Sequence, residues 1–89
     1  MRAVITVLGC DRVGIIAAVT AILAETNTNI LDISQTIVSD LFTMIMIVDL
    51  GASKVDFQTL HGQLTAKGKE LGMEIRLQRE EIFRSMHRI

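Results

Sequence analysis

Asp11 and Arg12 are the residues of this 89-residue chain whose types and placement could do chemistry. They stand side by side in the stretch Leu8-Gly9-Cys10-Asp11-Arg12-Val13-Gly14-Ile15-Ile16. A carboxylate can accept from an amino group, and a guanidinium can clamp a carboxylate. An apolar alternating run ends at Gly9, and apolar residues recur at helical spacing after Gly14, so the stretch predicts a strand, a tight turn and a helix start. The turn then adds unpaired N–H groups and the positive end of a helix dipole, a setting for the carboxylate of a small ligand. Each residue also has a plain structural role available. Asp11 can cap the helix, Arg12 can be a solvated surface residue, and the glycines can serve turn geometry and close helix packing alone. A nucleotide-binding loop is excluded, because Ile15 and Ile16 stand where Lys and Ser or Thr are required.

Nothing elsewhere assembles a catalytic set. Asp32 and Ser34 share a strand face but have no His beside them, so they make no triad. Arg12 with Asn29 could imitate the anion-binding pair of an acylphosphatase-like enzyme, yet the loop lacks further basic residues. Cys10 is expected to be a buried or partly buried, inert thiol. His61 and His87 lie on different elements with no ligand-spaced partner, so no metal site and no cofactor are expected.

The elements that position the turn follow from periodicity. Residues 3–8 form a first strand, apolar on both faces. A helix is expected from about Val13 to Thr26, with the stripe Ile15, Ile16, Val19, Ile22 and Leu23 and a left-handed stop at Asn27. A second strand spans Ile30 to Ser39, with Leu31, Ile33, Gln35 and Ile37 on a buried face and Ile30, Asp32, Ser34, Thr36 and Val38 on a wetter one. A hairpin turn leads into a central third strand, Phe42 to Leu50. Ser53 and Asp56 resemble a capping box before a second helix whose stripe is Phe57, Leu60, Leu64 and Leu71. Gly68 falls on that stripe, which implies a close helix–sheet approach, and Gly72 ends the helix. Met73 to Gln78 alternate as a fourth strand, and residues 80–89 form a short amphipathic helix whose apolar side must cover something, in this subunit or the next.

The order β-α-β-β-α-β plus a helix defines an α+β fold, the ferredoxin-like plait. It has a four-stranded antiparallel sheet with two helices on one face and a short C-terminal helix, all in one domain over residues 1–89. The apolar residues on both faces of strands one and three argue that the second face is covered by the tail helix or by another copy. The net charge is -1 and the few Phe are unaccompanied by Trp or Tyr, so nucleic-acid binding is not expected. No run reaches the length of a membrane span. A single Cys and an N-terminus without a signal layout give a cytoplasmic expectation.

With that plait in place, Gly9-Cys10-Asp11-Arg12-Val13-Gly14-Ile15 resembles the signature turn of the ACT domain, a small regulatory module of amino-acid metabolism. Asn29-Ile30-Leu31-Asp32-Ile33-Ser34-Gln35 and Phe42-Thr43-Met44 resemble the same family, and the length with the Ile82-Phe83 tail resembles its stand-alone bacterial and archaeal members. The resemblance implies a homodimer, often side by side. It also implies a small-molecule effector, such as an amino acid, held between the turn and the start of strand two at the subunit interface. Asp11, Arg12, Val13, Gly14 and Ile15 match the turn, and Asn29 and Ile30 match the strand. Val13 departs from the Pro of many members and leaves the turn less rigid. The expected function is therefore a non-enzymatic sensor of an amino acid or related metabolite. The alternative is a ligand-free interaction module that docks on a metabolic enzyme or transporter.

Overall fold

The computed structural model describes residues 1–86. Its elements are β1 (Arg2–Cys10), α1 (Ile15–Glu25), β2 (Asn29–Val38), β3 (Leu41–Asp49), α2 (Phe57–Leu71), β4 (Glu74–Arg79) and α3 (Glu80–Met86). The strands form one antiparallel sheet in the order β2-β3-β1-β4, the plait that the element order predicts. Of the expected tail helix, residues 87–89 lie outside the described residues.

The core forms where the alternating strands meet two helical stripes. Ala3, Ile5 and Val7 of β1 face Phe42, Met44, Met46 and Val48 of β3, and all are buried against Ile15, Val19 and Leu23 of α1 and Leu60 and Leu64 of α2. Both helices end in the same way. Asn27 and Gly72 adopt left-handed φ values of 57° and 70°. The N–H groups of Thr28 and Met73 then reach back to Leu23 and Gly68 carbonyls, each at 2.8 Å. This arrangement satisfies carbonyls that the helix leaves open.

Gly68 fulfils its expected role. A Cβ there would lie 2.8 Å from the Met73 carbonyl oxygen and 3.2 Å from Ile75 Cγ1, so helix and sheet meet too closely for a side chain.

Three local expectations are corrected. α1 starts at Ile15 after Gly14, and no side chain caps it. Asp11 stands three residues before the cap position, and its own N–H donates to the Asp40 carbonyl at 2.7 Å, which holds Asp11 to the β2–β3 hairpin. The cap of α2 is Asp56, which accepts from the Thr59 N–H at 2.8 Å. Ser53 instead bonds both the N–H and the carbonyl of Val55, shaping the turn before the helix.

The third correction concerns β2. It is the sheet edge, and Ile33 and Ile37 are 44% and 51% exposed rather than buried. A bulge at Leu31 also changes which residues share a face. Ile30 pairs with Val48 and therefore lies on the helix side with Ile33, Gln35 and Ile37, whereas Asp32 pairs with Ile47 on the opposite side. The two helices lie over the other strands, and Ile30 is the β2 residue packed against the core.

Candidate functional site

The β1–α1 turn borders an open crevice of about 240 Å³. Asp11, Arg12, Gly14 and Ile15 supply one wall, and Gln35, Ile37 and Phe42 supply the other. Gly14 has φ 93°, and nothing lies within 4 Å of a Cβ built there. The backbone angle, not close packing, is what requires glycine at that position. Gly9 is the reverse case, since a Cβ would meet the Met73 sulfur at 2.6 Å. The first helical bond of α1 runs from the Ala18 N–H to the Gly14 carbonyl. The preceding N–H groups of the helix are thus free of helical partners and open at the turn. Val13 is 99% exposed and does not line the crevice.

Arg12 has a partner that the sequence did not announce. Its Nη1 donates to the Leu71 carbonyl at 2.6 Å, across 59 positions of chain. Leu71 closes α2, where the helix dipole is negative and carbonyls are left open, so a guanidinium suits the place. Arg12 is thereby a tether between the turn and the end of α2.

Asn29 and Ile30 are not beside this turn within one chain. Asn29 pairs with Asp49, whereas Cys10 and Val38 pair with Leu41 at the far end of the same strand. At about 3.4 Å per residue the two ends of β3 are roughly 27 Å apart. Asn29 borders a different crevice of about 440 Å³, together with Asn27, Thr28 and Asp49. There Asn27 donates from Nδ2 to the Ala52 carbonyl at 2.9 Å, and Asp49 Oδ1 accepts the Gly51 N–H at 2.8 Å. Residues Gln35, Ile37 and Phe42 take the places beside the turn that the sequence reading gave to Asn29 and Ile30. The signal for them was the Ser39-Asp40 hairpin, because counting back from it pairs Ile37 with Phe42 near the end of β1.

Among the described residues no group of three or more His, Cys, Asp or Glu is placed to hold a metal ion. Asp32 accepts the N–H of its neighbour Ile33 at 2.9 Å. Among these residues no helix is long and apolar enough to cross a membrane.

A profile of the ACT domain matches residues 2–78. The chain belongs to the ACT domain family. A UPF0237 protein of Methanocaldococcus jannaschii is 54% identical over 88 residues, covering 99% of this ACT chain and 98% of that relative. The ACT domain protein from Streptococcus pneumoniae superposes with a TM-score of 0.80 at 42% identity, covering 93% of each chain. The regulatory subunit of aspartate kinase from Thermus thermophilus gives a TM-score of 0.66 at 28% identity, over 86% of this chain and 50% of that one. ACT domains as a class are regulatory modules that bind small molecules.

Proposed function

We propose that this ACT domain is a non-catalytic sensor whose effector, an amino acid or related metabolite, binds between two copies of the chain. The Asp11–Ile15 turn of one subunit supplies one half of the site, and Asn29 and Ile30 of the partner subunit supply the other. The observation that carries this reading is that Asn29 opens the edge strand β2 while the Asp11 turn shares a crevice with Gln35 and Ile37 near the other end of that strand. An edge strand with open backbone groups is a template for another strand. If β2 pairs antiparallel with β2 of a second copy about a two-fold axis, the strand direction reverses across the junction. The start of the partner's β2 then lies against the end of this one, at the end of the sheet that carries the Asp11 turn. The family match and the likeness to a kinase regulatory subunit support the class of ligand.

Two experiments test it. A thermal-shift screen of the proteinogenic amino acids should show a selective shift by one or two of them. A binder present at about 100 times its Kd adds roughly 2.7 kcal/mol. A flat screen would remove the amino-acid reading. With the binder known, the variants Gly14→Asp and Asn29→Ala should each lose binding while still associating. Mixed and reassorted together they should recover about one quarter of the wild-type sites, because each heterodimer carries one junction with neither substitution. No recovery on mixing would mean that the site lies within one subunit.

The alternative of a ligand-free module docking on a metabolic enzyme or transporter draws support from α3, where Ile82 and Met86 are 51% and 56% exposed. A flat screen would shift weight to it.

A further inference from the structure

The helix-facing row of β2 runs Ile30, Ile33, Gln35 and Ile37, and Gln35 is its one polar member. Across the sheet Gln35 pairs with Met44, which belongs to the core. A carboxamide brings donors and an acceptor to this apolar row. Its side chain bonds to no other described residue. The same side chain lines the crevice at the Asp11 turn.

Position along the strand decides what part of a ligand Gln35 meets. Ile37 stands opposite Phe42, next to the end of β1, and Gln35 stands one pleat further from the hairpin. That step is about 7 Å. The other polar side chains of the crevice, Asp11 and Arg12, lie at the turn. The ammonium and carboxylate that all amino acids share belong with those two and with the open N–H groups of α1. The side chain, by which amino acids differ, then runs over Ile37 and Phe42 towards Gln35.

We infer, resting on the effector reading above, that Gln35 sets the specificity of this crevice and selects an amino acid whose short, uncharged side chain ends in a hydroxyl or a carboxamide. Three properties of the crevice lead to that class.

The first is hydrogen bonding. An amide both donates and accepts, so it pairs with a hydroxyl or with a second amide. A hydrocarbon end laid on it would take its water away and leave it unpaired, which is the costly outcome.

The second is charge. Only Asp11 and Arg12 among the lining residues are charged, and Arg12 is engaged by the Leu71 carbonyl. A charged side-chain end beside Gln35 would give up water with no counter-charge at that end of the crevice.

The third is size. A cavity of about 150 Å³ holds a benzene ring, so on the same scale a crevice of about 240 Å³ has room for roughly ten non-hydrogen atoms. Serine, threonine, asparagine and glutamine are of that size, and the aromatic amino acids exceed it.

The test is a ratio of affinities between amino acids of matched shape, measured on the full chain at one protomer concentration. Serine is set against α-aminobutyrate, threonine against valine, asparagine against leucine, and glutamine against methionine. The wild type should favour the hydrogen-bonding member of at least one pair by about tenfold, the scale of one neutral hydrogen bond gained against a polar group left unpaired. Gln35→Met keeps the length of the side chain and removes its donors and acceptor. It should bring that ratio to about one or reverse it, and Gln35→Ala should do the same. Gln35 is exposed, so both variants are expected to keep the wild-type circular dichroism spectrum.

The ratio separates specificity from structure, because damage to the fold weakens both members of a pair alike. Equal weakening in both variants, or a ratio that neither variant moves, would overturn the assignment of Gln35 and leave the effector reading standing. A wild type that prefers valine, leucine or an aromatic amino acid would overturn the assignment in the same way. A wild type that binds no amino acid would remove the effector reading, and the role of Gln35 with it.

Discussion

Gly68 and Gly62 sit on the same helix and should respond to the same substitution with opposite sign. Alanine is about 1 kcal/mol better than glycine inside a helix. At Gly62, which is exposed, nothing lies within 4 Å of an added Cβ, so the propensity gain stands and Gly62→Ala should stabilise by about 0.5–1 kcal/mol. At Gly68 the same gain is opposed by contact with the Met73 carbonyl oxygen at 2.8 Å and with Ile75 Cγ1 at 3.2 Å. Neither neighbour can yield freely. The Met73 N–H is bonded to the Gly68 carbonyl at 2.8 Å, which ties the two backbones together. Ile75 is 7% exposed and packed in the core.

Overpacking of this kind costs about 1–3 kcal/mol, which at the middle of its range exceeds the propensity gain. Gly68→Ala should therefore be destabilised by about 1 kcal/mol, the middle of a net range of about 0–2. The assay is urea unfolding followed by circular dichroism, at one fixed protomer concentration so that association does not enter the difference. In thermal scans each kcal/mol corresponds to about 4–8 °C for a domain of this size. A Gly68→Ala protein as stable as the wild type would refute the claim that α2 is seated against β4 at this residue. A Gly62→Ala protein destabilised equally would show that the helix, not the contact, resists alanine.

Two further tests address single side chains. The Asp56 carboxyl is held below its ordinary range chiefly by the Thr59 backbone N–H. Its contribution is therefore present above the unfolded pKa of about 3.9 and lost as pH falls through the folded value; the stability difference between wild type and Asp56→Asn should shrink as the buffer is taken below about pH 4, and a constant difference would contradict the cap. Arg12→Ala should cost roughly 1 kcal/mol or less by losing an exposed charged bond to the Leu71 carbonyl, with faster amide exchange at Gly72 and Met73. A variant of unchanged stability that loses all ligand binding would mark Arg12 as a clamp instead of a tether.

The parts of this fold that were readable from sequence are those decided within a few residues. Asn27 and Gly72 mark helix ends because left-handed backbone is a local demand. Gly68 could be read because a glycine on an apolar helical stripe has few other uses. The two glycines of the turn could be recognised as special but not told apart, since only the structure shows Met73 against Gly9 and a positive φ at Gly14. The expectations that failed depended on partners distant in sequence. Asp11 looked like a cap, but the helix starts four residues later and the Asp11 N–H bonds the Asp40 carbonyl across the sheet. Arg12 found Leu71 across most of the chain. The alternation of β2 suggested a buried face, but alternation cannot say whether a helix arrives to cover it, nor where a bulge will change its phase. Asn29 was matched to the turn through the family pattern, which does not distinguish contact within a chain from contact between chains.

That last distinction has an energetic consequence under the proposed arrangement. A site divided between two subunits exists only in the associated state, so an effector bound there stabilises association by its own binding free energy and no more. Reciprocally, the affinity for the effector must fall once the protein is diluted below the point where β2 edges pair, because the lone chain offers the turn without Asn29. The effector would then also fix the hand of the pairing, since only an antiparallel β2 junction brings both halves together. Arg12 ties the turn to the end of α2 through the Leu71 carbonyl, and α2 continues through Gly72 into β4 and then α3. An effector that drew the guanidinium away would release a carbonyl at the root of β4, on the opposite border of the sheet from the paired edge. Titrating the effector against the Arg12→Ala variant at fixed protomer concentration tests this path: unchanged affinity places the coupling in the β2 edge alone, and altered affinity gives the Arg12 bond a part in it.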